Sequence, residues 1–208
     1  MNPIEQIKAR LEANLPEATI NLVPNPSPAG QPSLAVDNAH AVAIATFLRD
    51  ELQLDYCSNV TGVDWLDRVV SSKEKITKVV DGKEVVVEET KEQKFSGYLE
   101  AVYHLYSVAQ KQGPVIIRTR TVDRAENAIL PSLTPVFRSA ELQEREIFDL
   151  YGVHFEGHPD LRRILMWDGF TDHPMRKDYE EPDDYEYEPT PHGDVLEKAK
   201  RHYIEEQS

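Results

Sequence analysis

Sulfur is nearly absent from this chain of 208 residues: Cys57 is its only cysteine. One thiolate cannot build a cysteine-ligated iron–sulfur cluster or zinc site, and it leaves no partner for an intrachain disulfide. A reducing compartment fits this usage. Cys57 is flanked by apolar residues and is expected to be a buried, inert thiol. Glycine is also sparse, and the nine glycines never fall as GxGxxG or GxxxxGK. The common phosphate and dinucleotide cradles are therefore missing, as is a GxSxG elbow. Positive charge is in deficit, with 23 Lys and Arg against 37 Asp and Glu and a net charge of −14. Phosphate contacts need surplus cations, so nucleic acid is not an expected partner. The most apolar run, Ala41 to Leu48, is too short to cross a bilayer. The opening MNPIEQIKARLEANL has no apolar centre of the kind an export signal needs. Any membrane association is expected to come through another protein.

Charged residues make up 29% and apolar ones 40%, enough for a folded core. Pro3 is placed to start a helix carrying Ile4, Ile7, Leu11 and Leu15 at helical spacing, with Pro16 ending it. Short strands are expected at Ile20–Val23 and Leu34–Val36, with a loop from Pro24 to Pro32 between them. Asp37 is expected to cap a helix over Ala39–Leu52. Leu54–Leu66 reads as a strand region broken near Gly62. Residues 69–94 read as a solvated hairpin insertion turning at Asp81-Gly82. Phe95–Val108 and Val115–Thr121 read as the central strands, joined through Lys111-Gln112-Gly113. Glu126–Phe137, with Pro131 and Pro135, reads as an irregular connection. Ala140–Tyr151 reads as a helix stopped by Gly152 in the left-handed cap position. Beyond it, prolines at 159, 174, 182, 189 and 191 suppress long helices, and a last helix is expected after Gly193-Asp194. The order of elements predicts an α+β fold: two layers, a mixed or largely antiparallel sheet with helices packed on it, and an extended C-terminal segment. Three regions are expected: an α+β domain over 1–128, a helix-plus-loop segment over 129–179, and an acidic tail over 180–208.

The stretch from Glu144 to Tyr179 interleaves charges of both signs with aromatics, Gly and Pro. On a helical wheel Leu150, Ile147, Tyr151 and Phe148 form one apolar arc. Glu144 falls inside that arc. A carboxylate there needs a partner, or burial costs several kcal/mol. The expected partner is Arg162 or Arg163, brought back by the Gly152 turn. On the opposite side Arg145 sits between Glu141 and Asp149, which reads as an exposed carboxylate–guanidinium–carboxylate column. His154, Glu156 and His158 form the only metal-like spacing. Gly157 and Pro159 make that stretch a poor helix, so a structural role is expected, with a metal-dependent hydrolase as an alternative.

At these residues a family resemblance appears. EREIFDLYGVHFEGHPDLRRIL followed by HPMRKDY resembles the signature of the 30-kDa subunit family, the C-type subunits, of proton-pumping NADH:quinone oxidoreductase, respiratory complex I. Pro131 to Phe137 resembles its usual lead-in. The resemblance covers roughly residues 130–180. It implies a non-catalytic structural subunit of the peripheral arm, with no catalytic, cofactor or metal ligands of its own. It implies that FMN and Fe–S clusters lie in partner subunits, and that electrons pass through these from NADH to quinone, coupled to proton translocation. The implied partners are the large (49-kDa, D-type) and Fe–S subunits. The implied place is peripheral, on the cytoplasmic side of the bacterial inner membrane. The residues expected to be structural or to meet a partner are Glu144, Arg145, Glu146, Asp149, Tyr151, Gly152, His158, Pro159, Asp160, Arg162, Arg163, Arg176, Lys177, Asp178 and Tyr179. A related member of a membrane-bound hydrogenase or formate-linked complex is the alternative within the same resemblance.

Overall fold

Successive side chains on a strand point to opposite faces, and YLEAVYHLYS puts Leu99, Ala101, Tyr103 and Leu105 on one of them. This is the strand Tyr98–Ser107 at the heart of a five-stranded sheet in the computed structural model. The structure describes residues 3–80, 83–167 and 169–180. In chain order the strands are β1 (Ile20–Val23), β2 (Ser33–Val36), β3 (Tyr56–Trp65), β4 (Arg68–Val80), β5 (Lys83–Phe95), β6 (Tyr98–Ser107), β7 (Gln112–Arg120), β8 (Ile129–Pro131) and β9 (His154–Glu156). The helices are α1 (Pro3–Asn14), α2 (Ala41–Asp50) and α3 (Ala140–Tyr151).

The main sheet has the order β1-β2-β7-β6-β3. Its pairs are antiparallel except β2 with β7, which is parallel, so the sheet is mixed and the fold is α+β. Leu99, Ala101, Tyr103 and Leu105 of β6 enter one core with Val115 and Ile117 of β7 and Leu34 and Val36 of β2. Leu11 of α1, Ile44 and Leu48 of α2, and Ile147 of α3 fill the same core. All three helices therefore cover one face of the sheet, making two layers. The segment from residue 129 contributes Leu130, Val153 and Phe155 to this core.

Several expectations shift. The helix expected over Ala39–Leu52 is the shorter α2. Asp37 does not cap its first turn but accepts the backbone N–H of His40 (3.0 Å) and that of Thr19 (2.6 Å). The expected break near Gly62 is absent: β3 runs through it, and its irregularity lies between Cys57 and Asn59. Gly62 has a packing role instead. A Cβ there would meet the Tyr151 ring at 2.7 Å and Ile147 at 3.2 Å, so its bare backbone lets α3 lie close on the sheet. The strand expected from Phe95 starts at Tyr98, because Phe95 pairs with Arg68 at the base of the hairpin. β4 and β5 form a two-stranded sheet of their own, as expected of an insertion, while its turn at Asp81-Gly82 lies outside the described residues. The connection Glu126–Phe137 holds the short strand β8, which pairs in parallel with β9. The acidic tail beyond Glu180 and the helix expected after Gly193-Asp194 also lie outside the described residues.

Candidate functional site

α3 places two carboxylates in the interior, Glu144 and Asp149, each without solvent exposure. Glu144 faces β6 and the segment that follows β8. Its Oε1 accepts the Tyr103 hydroxyl (3.0 Å) and the Leu133 backbone N–H (2.8 Å). Its Oε2 accepts the hydroxyls of Ser132 (2.5 Å) and Thr134 (3.2 Å). The expected pairing of Glu144 with Arg162 or Arg163 is thus corrected: four uncharged donors surround it. A carboxylate offers about four acceptor positions, so neutral donors satisfy it without a cation. Burial pushes the Glu144 carboxyl above the ordinary range, and the Ser132, Leu133, Tyr103 and Thr134 donors act against that shift. Burial, then the Glu144 charge, pushes the nearby Cys57 thiol up to about 12. Cys57 is buried, as its neighbours foretold, and has no thiolate to offer.

Asp149 works in the opposite way. Its Oδ1 accepts Nη1 of Arg163 at 2.6 Å. Its Oδ2 accepts three consecutive backbone N–H groups, those of Ile164 (3.0 Å), Leu165 (2.7 Å) and Met166 (2.9 Å). Burial raises the Asp149 carboxyl, but the Met166, Leu165 and Ile164 N–H groups and Arg163 outweigh it, so the net direction is down. The exposed column expected around Arg145 is also corrected. Arg145 is 6% exposed and donates to the carbonyls of Arg162 and Arg163, both at 3.1 Å. Helix spacing alone set Arg145 between two acids. The chain returning through residues 158–166 covers that side and turns it inward.

Gly152 ends α3 at φ 77°, and its N–H donates to the Phe148 carbonyl (3.0 Å). The His173 ring lies against it, where a Cβ would come within 2.5 Å of Nε2. His173 Nδ1 in turn donates to the Asp149 carbonyl (3.0 Å). The HPMRKDY end is fastened by a pair with no sequence signal: Arg124 forms a two-pronged bond to Asp64 of β3 (2.6 and 2.7 Å) and also holds Asp178 (2.8 Å). The Lys177 N–H completes Asp64 at 2.8 Å. Burial raises the Asp64 carboxyl, but Arg124 and the Lys177 N–H leave it below the usual range.

The histidines do not assemble a metal centre. His154 begins β9 with its side chain exposed, and His158 lies past Gly157, so the two share no helical face. Both His158 ring nitrogens are engaged: Nε2 donates to the Glu141 carbonyl (2.9 Å) and Nδ1 accepts the Asp160 N–H (3.1 Å). Those two partners favour the tautomer with its hydrogen on Nε2. No cluster of three His, Cys, Asp or Glu with metal-ligand geometry occurs among the described residues. The remaining expected residues are at or near the surface: Glu146, Pro159, Asp160, Arg162, Lys177 and Asp178 are exposed, and Tyr151, Arg176 and Tyr179 are half-buried. Arg162 holds Asp160 at 2.9 Å. Ile164, Leu165, Trp167 and Met175 are exposed by 39, 61, 37 and 54%, an unusual set of large apolar side chains beside so firmly bonded a backbone.

The family described as "Respiratory-chain NADH dehydrogenase, 30 Kd subunit" matches residues 34–185. The chain belongs to this family. That match takes in all but the first residue of β2, the elements from α2 to β9 and every residue of the two carboxylate networks. The C-type subunits of NADH-quinone oxidoreductase from Brucella ovis and Agrobacterium fabrum are 37% identical to it over 152 and 153 residues, 72% of this chain. The aligned stretch spans 60% of the length of these relatives. Among solved structures, a trypsin-resistant fragment of Nqo5 is similar at a TM-score of 0.48 and 21% identity, over 76% of this chain and 98% of the fragment. No helix among the described residues is long and apolar enough to cross a membrane.

Proposed function

We propose that this chain is a structural subunit, without catalysis of its own, in the peripheral arm of an NADH:quinone oxidoreductase of the complex I type. The observation that carries the reading is the loop held by Asp149. Three consecutive N–H bonds and Arg163 fix its backbone, while Ile164, Leu165 and Trp167 are left at the surface. Fixed backbone with exposed large apolar side chains is what a docking site needs, since little ordering remains to be done on binding. Asp149, Arg145 and Arg163 serve that purpose from within, and the apolar side chains of the loop meet the partner. The partners are the large, D-type protein and the Fe–S subunits. FMN and the clusters belong to those partners, and this chain binds none. It reaches the cytoplasmic side of the inner membrane only through them. Its contribution is rigid positioning for subunits that carry electrons from NADH to quinone while protons are moved.

Affinity purification of the full chain from its native membranes tests this. Co-purification of respiratory subunits together with NADH-driven quinone reduction is expected, and Leu165→Asp is expected to abolish it while leaving the urea midpoint of the isolated chain unchanged. Recovery of hydrogenase subunits without NADH oxidation, or of no other subunit, would overturn the reading.

A further inference from the structure

Among the described residues no helix covers the other face of the five-stranded sheet. Strand alternation places Trp65, Tyr98, Val102, Ile116, Arg118 and Arg120 on it, because their neighbours Leu99, Ala101, Tyr103, Val115 and Ile117 enter the core. An outward sheet face in ordinary contact with water carries short polar residues and lysines. This one carries Trp65, Tyr98, Arg118 and Arg120, all half-buried, above Val102 and Ile116, which are themselves 6 and 7% exposed, and Trp, Tyr and Arg are residue types that concentrate in protein interfaces.

Charge singles out the same face. Glu100 is fully enclosed there and accepts from Trp65 Nε1 (3.0 Å), Arg118 Nη1 (3.0 Å) and Arg120 Nε (2.8 Å). One carboxylate cannot use the five N–H donors of each guanidinium. Arg118 Nε is buried without a partner among the described residues, as is Nδ1 of His104 on the same face. Arg120 lies over the Tyr98 ring at 5.1 Å, and Lys177 Nζ over the Trp65 ring at 5.8 Å. Two guanidiniums thus share one carboxylate, with a third cation over the adjoining Trp65 ring, in a chain whose net charge is −14.

We propose that this face is a second docking surface, whose occupant is a carboxylate-bearing segment of a neighbouring protein in the assembly, bonded to Arg118 and Arg120 beside the Trp65 and Tyr98 rings. The planar guanidinium fork matches a carboxylate two-pronged, and adjoining rings exclude water from the pair. This rests on the assembly reading above, but it concerns the sheet face opposite the helices rather than the Asp149 loop.

The test uses the full chain in native membranes, with a photo-crosslinking residue at Thr61, an exposed position paired with Val102 in the register. A second version carries it at Leu142, which is exposed on α3. Capture from Thr61 of a peptide of another subunit rich in Asp or Glu is expected. Arg120→Glu is expected to lower that capture roughly tenfold or more, the effect of removing one member of a desolvated charge pair. Capture of a peptide without acids, of this chain itself or of a second copy overturns the proposal. So does no capture from Thr61 while Leu142 still captures a neighbour. If neither position captures a neighbour and none co-purifies with the unmodified chain, the assembly reading itself has failed. The Thr61 position does not touch the Glu100 cluster, so it remains decisive if Arg120→Glu does not fold.

Discussion

Glu144 and Asp149 stand on the same helix, both shut away from water, and they meet burial by different means. Around Glu144 the donors among the described residues are three hydroxyls and one amide, none of them charged. Around Asp149 they are one guanidinium and three successive amides. Hydroxyls can rotate toward another acceptor within reach. Amides locked in a loop cannot. Glu144 therefore joins elements that are already packed in the core, while Asp149 gives shape to a stretch with no secondary structure of its own.

The contrast is broken most sharply at Asp149. Asp149→Ala takes the carboxylate from Arg163 and strands three N–H groups together, and it is expected to cost about 3–5 kcal/mol in urea unfolding and to open the 164–166 amides to hydrogen exchange. An unchanged exchange pattern there would show that the loop is held by something else. Glu144→Ala is expected to cost less, about 1–3 kcal/mol, because the Leu133 N–H is the one donor that cannot turn away. Gly152→Ala is expected to cost about 1–2 kcal/mol from the left-handed backbone alone. Displacement of His173 adds to this and is visible as a shifted imidazole resonance.

Acid titration separates the two carboxylates by sign. Asp149 and Asp64 are held low, so their stabilisation is present above about pH 4 and is lost as pH falls through their lower folded-state values. Glu144 is held high, so its contribution is full below about pH 4 and is lost as pH rises through its folded-state value. Urea midpoints from pH 3 to 7 should then lose their acid-side slope in Asp149→Asn and their slope just above pH 4 in Glu144→Gln. Identical profiles for both variants would contradict the assignment. The smallest effect is expected at Arg162→Ala, where an exposed pair with Asp160 is removed and the midpoint should not move.

The helical wheel is enough to put Glu144 in the interior, because an acid within an apolar arc has no other place to go. It is not enough to name the partners. A search for a cation passes over Ser132 and Thr134, whose hydroxyls are spaced to reach one carboxylate, and Tyr103, which comes from another layer. Arg145 and Asp149 mislead for a related reason: spacing on one helix says who is adjacent, not which side a later segment covers. The long strands β3, β6 and β7 are legible to within a few residues. β8 and β9, at three residues each, are too short to show a period. Arg124 and Asp64 are sixty residues apart and form no local pattern, so only the fold brings them together.

The grip of Asp149 on three amides has a further consequence, for how this surface could change over time. Those bonds are made to main chain, so the residues at 164, 165 and 166 can be exchanged without disturbing the anchor. A counterpart whose surface drifts can be followed by altering side chains on a loop of constant shape. The fixed carboxylate is what leaves the exposed positions at liberty to vary.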